Sequence, residues 1–269
     1  GDIRATGGVI STEMAPPEGK GKPQGVDPAA AGFNNPNLGE GDAHISGDTL
    51  TGSINSGDVT FSGHARLWQG QAVLDADQIA ISRQVGGLIA SGSVVAVFPQ
   101  VGELGLQLPN SKSIQTKSSN ATEPLVWQIR AQRLTYSNGE GEAFLEGGVT
   151  ASSEQGSLHS QTLSVYLAPA TGKNRAPING YTQPFGGLQR AMAQGGVIVS
   201  QNGIHAYAEQ AEYDAARGKF VFSGGQPRIT DGNGNTTTGH SLTFDVASDT
   251  ISVDSEEGSR TLTRHRVEK

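Results

Sequence analysis

The chain has 269 residues, of which 38 are glycine, 6% aromatic and 17% charged, with a formal net charge of −7 and no cysteine. So much glycine disfavours long helices, where each internal glycine costs about 1 kcal/mol relative to alanine, and suits many short strands joined by turns that need positive φ. The acidic balance without a basic stripe argues against a nucleic-acid surface, the missing cysteine excludes disulfides and thiolate chemistry, and no apolar run reaches the roughly 18 residues of a membrane-spanning helix.

The sequence opens on Gly1-Asp2-Ile3-Arg4, already strand-like and without the pattern of an export signal. A first strand is expected near Ile3–Ile10. Residues 12–41 then hold five of the 12 prolines and six glycines, and read as a long loop or disordered insert. Beyond it a repeat sets in. Short stretches ending in glycine recur as Phe61-Ser62-Gly63, Ala90-Ser91-Gly92, Leu145-Glu146-Gly147 and Phe222-Ser223-Gly224, and sixteen residues before each stands Gly47, Ala76, Ala131 or Ala208. Gly63 to Ala76, Gly147 to Ser160 and Gly195 to Ala208 are each thirteen residues, so the two spacings together repeat every 29. A weaker fifth copy runs from Gly239 to Ser255.

Apolar residues alternate with a period of two around these anchors, the signature of half-buried strands. The shared parity predicts one inward face carried by Phe61, Leu74, Ile79, Ile81, Trp127, Ile129, Tyr136, Leu145, Val197, Phe220, Phe222 and Phe244, with a polar face opposite. Turn signals fall between the strands at Asn55-Ser56-Gly57, Ser137-Asn138-Gly139, Ala216-Arg217-Gly218 and Asp231-Gly232-Asn233. Two further breaks, at 99–124 and 168–187, leave the pattern intact after them. They read as loop insertions in a single elongated domain spanning 1–269.

Chemical motifs are scarce. The six histidines form no HExxH pattern, and His64, His159 and His240 lie next to repeat anchors, where parity puts most of them on the polar face. Asp75 and Asp77 share a strand face, as an acid–base pair needs, but equivalent positions of other copies hold Arg130 with Gln132. Asp231-Gly-Asn-Gly-Asn235 resembles the start of a calcium loop, yet lacks the bidentate acid such a loop requires. No catalytic residue, metal site or cofactor is expected.

The run from Val59 to Ile79, with its Gln69-Gly70 turn and Leu74-Asp-Ala-Asp-Gln-Ile79 phrase, resembles the periplasmic lipopolysaccharide-transport proteins of the LptA/LptC/OstA-like family. Ala193–Val197, Ala208–Tyr213 and Phe222–Pro227 together match the same phrase, as does the ending through Gly239–Asp245, Asp249–Val253 and Gly258–Thr261. The resemblance covers roughly 43–98 and 125–262, the inserts being departures from the family pattern. It implies an all-β fold, a twisted and partly open antiparallel β-jellyroll shaped like a folded taco. It also implies an apolar inner groove for the acyl chains of lipopolysaccharide, a periplasmic location with any signal or anchor outside this chain, and end-to-end pairing of edge strands. On that reading the partners are lipopolysaccharide, OstA-like domains of the inner- and outer-membrane components, and further copies in a head-to-tail oligomer. Ile3, Val9 and Ile10 at one end, and Thr261 and Val267 at the other, are the candidate edge positions. The contrasting reading is a structural or adhesive β-solenoid with a filled core and no lipid. A glycan-processing enzyme rests only on the acidic balance and Asp75/Asp77, and the few aromatics disfavour it.

Overall fold

The computed structural model describes residues 2–13, 42–53, 55–82, 86–100, 125–137, 139–154, 156–167, 188–201, 203–245, 250–254 and 262–264. Among them the only regular elements are sixteen strands. In chain order these are β1 Asp2–Glu13, β2 Ala43–Ser53, β3 Val59–Gln69, β4 Ala72–Ser82, β5 Gly87–Gln100, β6 Leu125–Ser137, β7 Glu142–Ser152 and β8 Gly156–Leu167. Then follow β9 Leu188–Gln201, β10 Ile204–Asp214, β11 Lys219–Ser223, β12 Arg228–Thr230, β13 Thr236–Thr238, β14 Ser241–Asp245, β15 Thr250–Asp254 and β16 Leu262–Arg264. All belong to one antiparallel sheet in which each strand from β1 to β11 pairs with the next. The sheet is not closed, because β1 and β15 end its main path.

Two of the expected inserts begin later than their composition implies. Thr12 and Glu13 still pair with His44 and Ala43, and Pro99 and Gln100 still pair with Val126 and Leu125. Ladder partners on the neighbouring strand outweigh a loop-like local composition there. Residues 14–41, 101–124 and 168–187, which make up the rest of the three inserts, lie outside the described residues.

The repeat spacing marks a crease. Each of the ladders joining β1 through β10 has a register break at mid-strand, as between Ser62 and Ala65 or between Glu146 and Val149. At that point two residues of one strand oppose one of its neighbour, a β-bulge that bends the strand. The bulged pairs are Gly7-Gly8, Gly63-His64, Gly92-Ser93, Gly147-Gly148, Gly195-Gly196 and Gly224-Gly225, and both members of every pair have positive φ. In register with them on the other strands stand Asp48, Asp77, Gln132, Gln161 and Glu209. The line therefore crosses the sheet at right angles to its strands.

One face of the sheet is buried and, among the described residues, no second layer covers it, so the sheet packs that face against itself across the crease. A single apolar cluster contains residues from both sides of the line, among them Ile45, Leu67, Leu74 and Val199 on one half and Phe61, Ile79, Leu145 and Phe222 on the other. Small residues sit where the halves converge: Ala65, Ala76, Ala131 and Ala208 are all buried beside the bulges. The outer face is polar and laced with cross-strand ion pairs, Arg66–Asp75, Arg133–Glu146, Arg190–Glu212 and Lys219–Asp245.

Candidate functional site: the interior face and its lips

The residues predicted to face inward come together on one surface. Phe61, Leu74, Ile79, Ile81, Tyr136, Leu145, Val197, Phe220, Phe222 and Phe244 all belong to the buried cluster, and Ile129 packs against it partly exposed. Trp127 lies on the same face and is half-buried. Period-two alternation brings them there within each half of the sheet. Across the crease the inward residues are four apart on bulged strands (Phe61 to Ala65, Leu145 to Val149) and three apart on their unbulged neighbours (Ala76 to Ile79, Ala131 to Leu134), so both kinds of strand return to the same face.

The residues close over one another in rows. Next to the crease on the first half run Phe61, Ile79, Ala90, Leu134, Leu145 and Leu163, each opposite the next. The second half carries Ile45, Leu67, Leu74, Ala96, Ile129, Ala151 and Leu158 in the same manner. Phe61 and Phe222 are 1% exposed and Phe244 0%, so the interior is occupied by the protein's own side chains. Burying each such ring contributes on the order of 1.5–3 kcal/mol.

At the free margins of the two halves the character changes. On the first half the outermost inward row is aliphatic at Ile81, Leu88, Ala143 and Val165 with Tyr136 among them, and turns aromatic at Tyr213, Phe220 and Phe244, with Tyr213 and Phe220 stacked at 4.3 Å between ring centroids. Burial, then the charge of Asp214, pushes the Tyr213 phenol above its ordinary pKa, so it stays neutral at physiological pH. On the second half the outermost inward row carries Gln69, Trp127 and Gln201. Gln69 stands between Ala43 and Ala72, Trp127 opposite Phe98, and Gln201 between Gly156 and Ile204. Gln69 is 2% exposed and Gln201 6%. Composition hid these polar residues inside the core, but parity was available to find them: Gln69 is two beyond Leu67, and Gln201 two beyond Val199.

The remaining motifs are structural. Asp75 and Asp77 both lie on the outer face, but Asp75 accepts two hydrogen bonds from the Arg66 guanidinium at 2.6 and 2.9 Å, and Asp77 sits against the bulge at Gly92. Asp231 closes the β12–β13 hairpin: Oδ1 accepts from the Asn233 and Asn235 amides at 3.0 and 2.8 Å, and Oδ2 from the Asn235 side chain at 2.7 Å. His64, His159, His205 and His240 are exposed, while His44 stacks on Trp68 at 5.1 Å. Among the described residues no three His, Asp, Glu or Cys side chains are placed to hold a metal ion. Of the candidate edge positions, Ile3 and Ile10 on β1 are 40% and 68% exposed, and Val9 is half-buried. Thr261 and Val267 lie outside the described residues, though β16 between them pairs with β13.

The fold defines a class: an open, creased antiparallel β-jellyroll of repeated strand pairs, with its apolar face turned inward. Residues 128–250 match the family described as LptA/(LptD N-terminal domain) LPS transport protein. Strands β2–β5 lie before the matched stretch but share its crease and register. Among solved structures the chain is similar to LptH of Pseudomonas aeruginosa, described as the LptA homologous periplasmic component of the lipopolysaccharide transport device. That likeness has 14% identity and a TM-score of 0.42, and covers 52% of this chain and 95% of LptH. A search of curated proteins finds no significant match.

Proposed function

We propose that this chain is a periplasmic carrier of lipopolysaccharide that holds acyl chains between the two halves of its sheet. In this reading it joins similar domains end to end by strand pairing, as one element of a bridge between inner and outer membrane. It is a transport protein and not an enzyme. The observation that carries the reading is the inward apolar face, which runs from β2 to β15 in a chain whose central part matches an LPS transport family. An acyl chain loses about 0.8 kcal/mol per CH₂ on exposure to water, so a path for several chains must be apolar throughout. A creased sheet provides it with no directional bonds to hold the lipid in place. Because Phe61, Phe222 and Phe244 fill the interior of the free protein, the halves must part about the crease on loading, which the open edges permit.

A photo-crosslinking amino acid at Phe220 or Phe222 is expected to capture lipopolysaccharide in cells, and one at Val221, which points outward between them, is expected not to. Capture at Val221 alone would sink the groove assignment.

One observation favours a second reading, a structural protein with a filled core: the inward face is already dry. A solenoid, whose coils stack in parallel, does not fit the antiparallel meander, but a lipid-free interior does. Organic extraction of the purified protein followed by mass spectrometry separates the two, because only the carrier brings acylated lipid with it.

A further inference from the structure

The bulges of the crease share a direction. At five of them the atoms nearest an added Cβ on the first glycine all belong to one residue of the preceding strand: Asp48 at Gly63, Asp77 at Gly92, Gln132 at Gly147, Gln161 at Gly195 and Glu209 at Gly224. Each covering residue follows a small one and stands two before an apolar one, as in Gly47-Asp48-Thr49-Leu50 and Ala131-Gln132-Arg133-Leu134. The second position is uncovered at Gly148 and Gly196, where an added Cβ meets nothing within 4 Å. β1 carries the same bulge at Gly7-Gly8, with φ of 95° and 76°, but an added Cβ on Gly7 also meets nothing within 4 Å. Among the described residues β1 pairs with β2 alone. The side from which the other five glycines are covered is therefore, at Gly7, the open edge of the sheet.

Strand direction narrows what can lie there. Bulged strands such as β1 and β3 run from the first half to the second, and covering strands such as β2 and β4 run back. Past β10 the sheet has two branches, β11-β14-β15 in line with the first half and β12-β13-β16 in line with the second. From β15 to β16 the chain thus runs in the direction of β1. A second copy that continued the sheet would set these last strands parallel to β1, whereas the ladders from β1 to β10 are all antiparallel, and parallel pairing is slightly less stable per residue.

From this we infer that the β1 edge receives an antiparallel strand of a different protein, one that carries a small residue followed by Asp, Glu or Gln, whose side chain lies over Gly7. The inference rests on the end-to-end pairing proposed above and names the partner: a covering strand, not a second copy of this chain. The same strand would extend the inward face over Ile3, which is 40% exposed in the row of Gly52 and Val59.

The test titrates the full chain into two fluorescein-labelled peptides and reads anisotropy. One peptide copies β2, Ala43–Ser53, with its Asp48; the other copies β3, Val59–Gln69, a bulged strand of the same length. The β2 peptide is expected to bind, and the β3 peptide to bind at least about tenfold more weakly. Gly7→Ala is expected to weaken the β2 peptide about tenfold and Gly8→Ala to leave it unchanged, because both positions bear positive φ but only the first faces a covering side chain. Equal binding of the two peptides, or equal affinity of the two variants for the β2 peptide, overturns the strand requirement and leaves end-to-end pairing standing. The peptide comparison uses the parent alone, so it decides even where an alanine at either glycine disturbs β1. Binding of neither peptide overturns the pairing at β1 together with the requirement. Self-association of the parent in sedimentation velocity that the β2 peptide reverses would make a second copy the occupant and overturn the inference.

Discussion

The crease is decided by single residues, and its two positions differ in what they tolerate. The first is glycine in each bulge, and from β3 to β11 a side chain of the preceding strand occupies the space its Cβ would need. At Gly63 and Gly92 the obstruction is the Asp48 or Asp77 carboxylate, and at Gly147 an added Cβ would lie 2.5 Å from the Gln132 Cβ. The second position is glycine, histidine or serine, and at Gly148 and Gly196 an added Cβ meets nothing within 4 Å. His64 and Ser93 show that a side chain can bear positive φ where there is room. Gly148→Ala is therefore expected to cost about 1 kcal/mol of backbone strain. Gly147→Ala adds steric overlap to the same strain and is expected to cost about 3 kcal/mol. Urea denaturation of the two variants checks the difference, and equal losses would show that the Gln132 side chain moves aside freely.

Asp231 acts at the same scale. Partial desolvation raises its pKa, but hydrogen bonds from the Asn235 side chain and from the amides of Asn235, Asn233 and Gly234 outweigh this and hold it below the ordinary aspartate value. A depressed folded pKa means that its contribution to stability is present above the unfolded value of about 3.9 and is lost as pH falls through the lower folded value. The protection of the Thr230 and Thr236 amides, their exchange rate relative to the unstructured rate at the same pH, is thus expected to fall on acidification below pH 4. In Asp231→Ala that protection should be low already at neutral pH, with no further acid dependence of its own. Exchange in that variant as slow as in the parent would show that the side chain does not hold the hairpin.

Among the elements, β10 decides how the sheet ends. It pairs with β9 along its whole length, but on its other side Gln210–Asp214 pair with β11 and His205–Tyr207 with β12. Three successive positive-φ residues, Gly224, Gly225 and Gln226, followed by Pro227, turn the crease into a strand break here. Past β10 the sheet divides into two leaves, β11-β14-β15 and β12-β13-β16. The other end is whole: β1 is a single long strand with, among the described residues, one neighbour and two exposed isoleucines. Long unprotected edges invite pairing, and natural sequences block it with charge. Ile3→Lys with Ile10→Lys is expected to abolish any concentration-dependent self-association in sedimentation velocity while leaving the urea midpoint within about 0.5 kcal/mol equivalent. Association that persists in the double variant would place the contact away from β1.

For the whole molecule, stability and function draw on the same face. The two halves bury each other's apolar rows, and no other layer contributes among the described residues. Phe222 is 1% exposed beside the crease, so Phe222→Ala is expected to cost about 3–5 kcal/mol in urea unfolding. A loss under 1 kcal/mol would mean that the halves are already loosely joined. Substitutions on the ion-paired outer face contrast with this. Arg66 and Asp75 are solvent-exposed, and such pairs contribute at most about 1 kcal/mol.

Much of this was legible in the residues alone. The spacings of sixteen and thirteen gave the repeat, and the structure shows that their anchors line the crease, because a bulge that needs glycine recurs at a fixed place in strands of equal length. Period-two parity assigned Phe61, Leu145 and Phe222 to one face, since side chains on a strand alternate by geometry. Two things depended on the tertiary structure. The strands run two residues past their apparent ends at Thr12 and Pro99, because ladder partners there override a loop-like composition. The burial of Gln69, Trp127 and Gln201 is likewise a tertiary fact. Parity says which way a side chain points, but whether it meets water depends on the other half of the sheet, which the crease brings over it from far away along the chain.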